Sequence, residues 1–492
     1  MRAAADPDRD DFADEMRNKV AENNKKTVVV GMSGGVDSSV AAYLLKEQGY
    51  HVIGATMQIW QQEDRCSIEK EGGCCGWSAV EDARRVAHML DIPYYVMNFR
   101  DEFQEKVIDY FVKEYRRGRT PNPCIACNRY VKWESLLHRS MEIGADYIAT
   151  GHYARIVQCA NGRYAIAPSV TARKDQSYAL YNLTQEQLAH TLMPVGDYTK
   201  PQVREIAAKI GLEVANKPDS QEICFVPDQD YAGFIERETG QKELPGNFVT
   251  EDGRILGQHK GISHYTVGQR KGLNLAMGHP VFVTQIRPDT REVVIGEAQD
   301  VFTDRLTADR INYMAADHFE KGQIVTAKIR YSHAGARCEI EECTGDRITV
   351  HFPEPVRAVT PGQAVVFYED GVVLGGATIC ERHNVKGAFN EKESMDRKSS
   401  RRADGNTGGS AGVWNAGGRQ SVCQNTDTAG GGGESYTGMA DCRQSEEDED
   451  GSGNAGIFKE KYPKNIIYVY NGNERCNIRQ CVSVRRMGQY GD

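Results

Sequence analysis

"VVVGMSGGVDSSVAAYLL", residues 28–45, runs from an apolar, β-branched segment through a loop of small and polar residues into a helix-like segment. The run beginning at Thr27 reads as a buried strand and the residues after Ser38 as a helix. Between them Ser33, Gly34, Gly35, Asp37 and Ser38 spell Ser-Gly-Gly-x-Asp-Ser. Glycines let backbone N–H groups turn inward around an anion, and the helix start adds the positive end of its dipole. Ser33 and Ser38 can donate hydroxyls, and Asp37 can hold Mg²⁺ against a phosphate. The loop lacks the Gly-Lys-Ser/Thr of a Walker A sequence, and its glycine spacing is not that of the dinucleotide fingerprint. A phosphate cradle of another kind is the better reading; a plain glycine-rich turn is the alternative.

Working outward, "HVIGATMQIW" (51–60) reads as a strand, "WSAVEDARRVAHMLDI" (77–92) as a helix and "YYVMNF" (94–99) as a strand. "DEFQEKVIDYFVKEYRRG" (101–118) follows as a helix, and "DYIATGHYA" (146–154) as another strand. Strands separated by helices of this length predict βαβ units, hence an α/β fold whose parallel sheet is covered on both faces. After about residue 225 strand-like runs are joined by turn signals such as "PDT" at 288–290 and "EDG" at 369–371, which predicts antiparallel β structure. The expected division is an extension over 1–25, the α/β domain over 26–225, a small central β domain over 226–302 and a C-terminal β-barrel over 303–384. From 385 to 492 Gly, Ser, Asn, Asp and Arg dominate, and both terminal segments are expected to be disordered.

The 492-residue chain is 40% hydrophobic and 26% charged, which suits a soluble multidomain protein. No apolar run approaches the roughly 20 residues that span a bilayer. The polar N-terminus has no apolar central segment, so no secretory signal is read there. Fourteen cysteines are too sparse for a disulfide scaffold and are expected to be reduced, metal-binding or catalytic, which points to the cytoplasm. A net charge of −9 does not advertise nucleic-acid binding, but local patches set the field at a groove, and "SEEDEDG" (445–451) supplies part of the imbalance.

"TPNPCIACNRYVKW" (120–133) places Cys124 and Cys127 three apart, directly after Arg116, Arg117 and Arg119. The pair is open to three readings: half a zinc site, a redox pair, or a nucleophile with a neighbour. Zinc wants a second pair, for which "GGCCG" with Cys74 and Cys75, helped by Cys66, is the nearest candidate. Cys159, Cys338, Cys343 and Cys380 lie in or beside strand runs and read as packing residues. His152 reads more readily as a hydrogen-bonded structural histidine than as a base. "GQHKGISHYTVGQRKGLN" (257–274) is basic and glycine-rich; it suits a β-hairpin, or a surface facing RNA backbone.

The Ser-Gly-Gly-x-Asp-Ser loop resembles that of the PP-loop ATP pyrophosphatases, which implies ATP cleavage between the α- and β-phosphates with Mg²⁺. Together with "PNPCIACN" and "KPDSQEICFVPD", which carries Cys224, it resembles the tRNA-specific 2-thiouridylases, the MnmA family, over about residues 27–382. The resemblance implies that Gly31, Met32, Ser33, Gly34, Gly35, Val36, Asp37 and Ser38, with Met57 and Gly151, bind ATP. Asn122, Pro123 and Cys124 would face the target uridine. Cys127 would be the nucleophile and Cys224 the carrier of a persulfide sulfur. Lys174, Asp175, Gln176, Arg330 and Tyr331 would contact tRNA. The activity implied is adenylation of O2 of the wobble uridine at position 34 of the anticodon loop, then its replacement by sulfur brought by a donor protein. Many members have an acidic residue where this chain has Cys124. Cys124, Cys127 and Cys224 are therefore also enough to hold a [4Fe–4S] cluster with one open iron. Arg116, Arg117 and Arg119, or a helix beginning near Asn128, would supply the positive setting a thiolate needs. Rival readings are an amide-forming PP-loop ligase, which would need no cysteine, and a non-catalytic iron–sulfur or RNA-binding protein.

Overall fold

The structure is a computed structural model and describes residues 25–59, 77–217, 223–384 and 468–469. The expected disorder at both ends, the cysteines at 66, 74 and 75 and the four tail cysteines lie outside the described residues. The N-terminal part is a sheet with helices on both faces. Its strands are β1 (Thr27–Gly31), β2 (His51–Gln58), β3 (Tyr94–Asn98) and β4 (Tyr147–Ala149), followed by a separate hairpin, β5 (Ala154–Gln158) and β6 (Tyr164–Pro168), and by β7 (Thr191–Leu192). Across the sheet the order is β3, β2, β1, β4, β7, all parallel, and Tyr468–Val469 pairs antiparallel on the β3 edge.

Alternation along β1 divides the core. Val28 and Val30 face one side with Val36, Val40 and Leu45 of helix α1 (Val36–Glu47) and with helix α2 (Trp77–Met89). Val29 faces the other side with Ile53, Ile148, Phe103, Val107, Trp133 and Leu136. All three valines are fully buried, as a two-sided parallel sheet requires, and each contributes about 1.5–3 kcal/mol by leaving water. The second side is covered by two helical runs that widen into π-helix. Run α3 comprises Arg100–Phe103, the π-segment Gln104–Ile108 and Asp109–Arg116. Run α4 comprises Pro123–Ala126, the π-segment Cys127–Leu136 and Leu137–Glu142. Helices α5 (Lys200–Lys209) and α6 (Tyr231–Thr239) complete this part.

The central β structure has β8 (Gly246–Val249), β9 (Ile255–His259), β10 (Phe282–Arg287) and β11 (Glu292–Gly296) in the order β10, β11, β8, β9 around Phe248, Val283 and Val293. The β11–β8 pair is parallel, not antiparallel as the turn signals alone suggested, because the long connection through 260–281 returns the chain to the far side of β8. The last part is a closed six-stranded barrel: β12 (Phe302–Tyr313), β13 (Ile324–Lys328), β14 (Ala336–Thr344), β15 (Arg347–Arg357), β16 (Ala364–Glu369) and β17 (Val372–Asn384). Asp370 and Gly371 both take positive φ (48° and 75°), the type I′ turn that Asp-Gly favours. Leu306, Val350, Phe352, Phe367 and Ile379 of the barrel belong to the same apolar cluster as Val29 and Trp133, so barrel and sheet share one core.

Candidate active site

The phosphate loop leaves the C-terminal end of β1, where the chain builds β2 and β3 to one side and β4 to the other. Open α/β sheets bind ligands at such a switch point. Ser38 pre-folds the loop: its hydroxyl accepts the Ser33 N–H at 3.2 Å and donates to the Gly35 carbonyl at 3.2 Å. Of the residues expected to bind ATP, Met32, Gly34, Val36 and Ser38 are buried, while Gly31, Ser33, Gly35 and Asp37 are half-buried. Met57 lies near the end of neighbouring β2 and is also half-buried. Gly151 follows β4 and sits against the loop. A Cβ there would lie 2.6 Å from the Ser38 nitrogen and 2.7 Å from the Asp37 carbonyl carbon, so only glycine fits.

Asp37 is engaged within the protein. The Lys200 ammonium donates to both its oxygens, at 2.7 and 2.8 Å, and the Tyr153 hydroxyl donates to Oδ1 at 2.7 Å. A Mg²⁺ ion bound through Asp37, as expected from sequence, therefore has to displace Lys200, whose side chain is only 11% exposed. Lys217 approaches from the same direction, donating to the Gly34 carbonyl at 3.3 Å and to Asp82 at 2.6 Å. Against the desolvation that raises it, Lys217 and Arg85 hold the Asp82 carboxyl below its ordinary range. Neither lysine was visible in the sequence reading, since they stand 163 and 183 residues from the loop atoms they touch.

The cysteine helix begins earlier than expected. Asn122 is its N-cap, its Oδ1 accepting the N–H groups of Cys124 (3.1 Å) and Ile125 (3.3 Å), and Pro123 is the first helical residue. Pro123 is buried in the first turn, where its ring fixes the direction of the chain. Cys124 is exposed and Cys127 half-buried. Both stand at the start of α4, where the positive end of the helix favours a thiolate. From Cys127 the helix is π, a form concentrated at functional sites. The arginines expected to serve the thiols are committed elsewhere. Arg116 donates to Gln241, Arg117 lies 3.5 Å from Glu114, and Arg119 pairs with buried Glu114 at 2.8 Å and donates to the barrel carbonyl of Ile379. An unpaired buried Glu114 would be costly, and the arginines serve it first.

More than two turns into α4 the helix reaches the nucleotide crevice. The Lys132 ammonium donates to Asn128 Oδ1 at 2.9 Å and lies 3.5 Å from His152 Nε2. His152 in turn places Nδ1 2.7 Å from the Thr150 hydroxyl and follows Gly151. Burial, then the Lys132 charge, pushes the His152 pKa well below its ordinary value, so the ring is neutral and positions its neighbours. Cys224 is half-buried and borders the same apolar cluster as Cys127. Its neighbour Phe225 packs on Phe103 (5.7 Å) and Phe111 (5.3 Å), the residues flanking the π-segment Gln104–Ile108, which itself packs against α4. Among the described residues no group of three or more His, Cys, Asp or Glu side chains is placed to hold a metal ion, Cys124, Cys127 and Cys224 included.

The barrel closes the other side of Cys124. Asp175 is 7% exposed and 3.5 Å from Lys328; it also accepts from the Ser177 hydroxyl at 2.8 Å. Gln176 accepts the N–H of Tyr153, the residue that touches Asp37. Lys174 is half-buried beside them. Tyr331 is 48% exposed, its ring 6.3 Å from that of Tyr178. Burial, then the charges of Asp175 and Cys124, raise its hydroxyl pKa. Arg330 donates to the Arg357 carbonyl at 2.9 Å.

Three family models match the chain in order: a tRNA methyl transferase HUP domain over residues 26–228, a tRNA methyl transferase PRC-barrel domain over 232–297, and an aminomethyltransferase β-barrel domain over 303–379. The chain is 70% identical over 354 residues to the tRNA-specific 2-thiouridylase MnmA of Lachnoclostridium phytofermentans, covering 72% of this chain and 99% of that one. It is 59% identical over 355 residues to the protein of the same name from Clostridium perfringens, covering 72% of this chain and 98% of that one.

Proposed function

Because the chain belongs to the MnmA family of tRNA-specific 2-thiouridylases, we propose that its α4 start is where ATP-activated tRNA meets sulfur. The protein is a tRNA-uridine 2-sulfurtransferase that uses ATP through its PP-loop domain. O2 of the wobble uridine attacks the α-phosphorus, pyrophosphate leaves, and C2 then carries AMP as a good leaving group. Cys224, loaded by a sulfur donor as a persulfide, attacks C2 with its terminal sulfur, and AMP departs. The Cys127 thiolate attacks the Cys224 sulfur, breaking the S–S bond to the base. The electron pair stays on the base's sulfur as 2-thiouridine, and a Cys127–Cys224 disulfide remains for a thiol reductant to reduce.

One observation carries this reading: a single helix holds Cys127 in its first turns, reaches the phosphate loop through Lys132, His152 and Gly151, and is preceded by Thr120, which is hydrogen-bonded to the barrel. The family's base contacts would then be Asn122, Pro123 and Cys124, and its tRNA contacts Lys174, Asp175, Gln176, Arg330 and Tyr331, with Asp175 also paired to Lys328 of the barrel. Mg²⁺ would accompany the ATP phosphates, with Asp37 and the serine hydroxyls of the loop as its nearest oxygens; bound there it would neutralise phosphate charge. The cluster alternative is disfavoured because the three thiols are not arranged as a metal-ligating set. A cytoplasmic location would suit a tRNA substrate, and no described helix is long and apolar enough to cross a membrane. The test is incubation of the full chain with ATP, a persulfide as sulfane-sulfur donor, a thiol reductant and unmodified tRNA. Expected are 2-thiouridine by mass spectrometry and stoichiometric AMP and pyrophosphate. Tight tRNA binding with no ATP turnover would leave only a binding protein, and activity tracking iron content would revive the cluster.

A further inference from the structure

The stretch before the cysteine helix is where all three parts of the protein meet. The Thr120 N–H donates to the Pro361 carbonyl of the barrel at 2.8 Å, and the Thr120 carbonyl accepts from Gln363 at 2.8 Å. Its hydroxyl lies 3.1 Å from that of Thr266 in the central part. Thr266 opens the segment "TVGQRKG", and that segment is rigidly tied. Gln269 accepts the Thr266 N–H at 3.0 Å through its side chain and donates to the Lys271 carbonyl at 3.0 Å. Gly268 and Gln269 also exchange backbone hydrogen bonds with Val283, at 2.8 and 3.0 Å. Gly268 has φ +89°, and a Cβ on it would come within 2.6 Å of the Ala358 methyl group, so the segment lies directly against the barrel.

That contact joins two sets of cations. On the barrel side Arg357, next to Ala358, stacks over the Phe282 ring at 5.2 Å, and Arg330 is hydrogen-bonded to its carbonyl. On the central side Arg270 and Lys271 are exposed on the tied segment. Arg237, Arg287, Arg305, Arg310 and Arg347 each lie within ion-pair distance of a carboxylate. Among the described residues Arg270, Lys271, Arg330 and Arg357 do not. The guanidinium pKa of Arg330 is lowered, first by burial and then by Arg357, as expected for positive charge left without a counter-ion. In a chain of net charge −9, rigidly held cations with no internal partner lie ready for an external polyanion.

We infer that Arg357, Arg270 and Lys271 continue the surface around Cys124, Tyr331 and Arg330 as a track for the RNA phosphate backbone. The track crosses the barrel–central seam at Ala358 and Gly268. It rests on the tRNA reading above and assigns the seam's role within it: phosphate contact that positions the anticodon arm without reading sequence. Thr120 ties the track to the residue four places before Cys124.

The experiment measures tRNA binding by the full chain over a range of salt, for the parent and for the R270Q/K271Q, R357Q and K321Q variants, with melting temperature checked for each. R270Q/K271Q is expected to weaken binding about tenfold and to flatten the slope of log K against log salt by about 1–2; R357Q should flatten it by about 1. K321Q, an exposed barrel change away from the seam, should leave both unchanged. Parental slope and affinity in R270Q/K271Q, or an equal loss in K321Q, would overturn the track while leaving the thiolation reading intact. A parent chain that neither binds nor thiolates tRNA would overturn the reading itself.

Discussion

The phosphate loop and the barrel–central seam handle charge in opposite ways. At the loop, Asp37, Lys200, Tyr153, Lys217 and Asp82 satisfy one another, so the crevice is electrostatically closed within the protein. At the seam, Arg270, Lys271, Arg330 and Arg357 have no carboxylate among the described residues. A small, highly charged ligand such as a triphosphate can exchange partners inside a pre-built network, where each contact is strong and directional. An extended polyanion instead needs cations spaced along a surface and left to solvent. Cys124 and Cys127 stand between the two, on a helix that reaches the loop through Lys132 and follows Thr120 at the seam.

If the thiols are the working link, Cys127→Ser and Cys224→Ser should each lower 2-thiouridine formation by at least about a thousandfold, since hydroxyls neither carry a persulfide nor resolve one. Both variants should still release pyrophosphate on the first turnover; an unaffected thiolation rate would hand the chemistry to a cysteine-independent ligase.

Should the loop network be what ATP binding exchanges, Lys200→Met strands Asp37 beside incoming phosphates. A drop of roughly a hundredfold in kcat/KM for ATP is expected, with tRNA affinity and its salt slope unchanged. The contrast with the seam disappears if tRNA binding falls in parallel.

Arg119→Ala tests the joint that holds both regions together. It leaves Glu114, only 3% exposed, without its closest cation and frees the Ile379 carbonyl. Loss of about 2–3 kcal/mol in denaturant unfolding is expected, at the low end for a broken pair because Arg119 itself is partly exposed. The Cys127 chemistry measured under saturating substrates should persist.

The smallest effect concerns pH. His152 titrates well below its ordinary value, and burial lowers His51, His259, His264 and His333 in the same direction. The unfolded chain therefore binds protons first as pH falls through about 6.5, and the stability present above that pH is lost on acidification. His152→Gln should remove on the order of 1 kcal/mol of this dependence between about pH 7 and pH 5, read from melting temperatures. A melting curve that steepens with acid as much as the parent's would deny His152 its buried neutral role.

Much of the site was legible because it is local. Ser33 to Ser38 announces a cradle by residue type and order, and Cys124 with Cys127 announces paired thiols. The start of α4 was legible too, since Asn before Pro is an N-cap followed by a first-turn proline, yet the helix was expected to begin near Asn128 and begins at Pro123.

Order along the chain, with its alternating strands and helices, dictated the parallel sheet, the position of the loop at its edge and the β-rich second half. Those follow from hydrophobic period and backbone preference, which act over a few residues. Lys200 on Asp37, the close packing of Gly151 on Ser38 and the meeting of Thr120 with Thr266 and Pro361 came from folding alone. Such pairings join groups more than a hundred residues apart, and it is the shared core under sheet and barrel that brings them within hydrogen-bond reach.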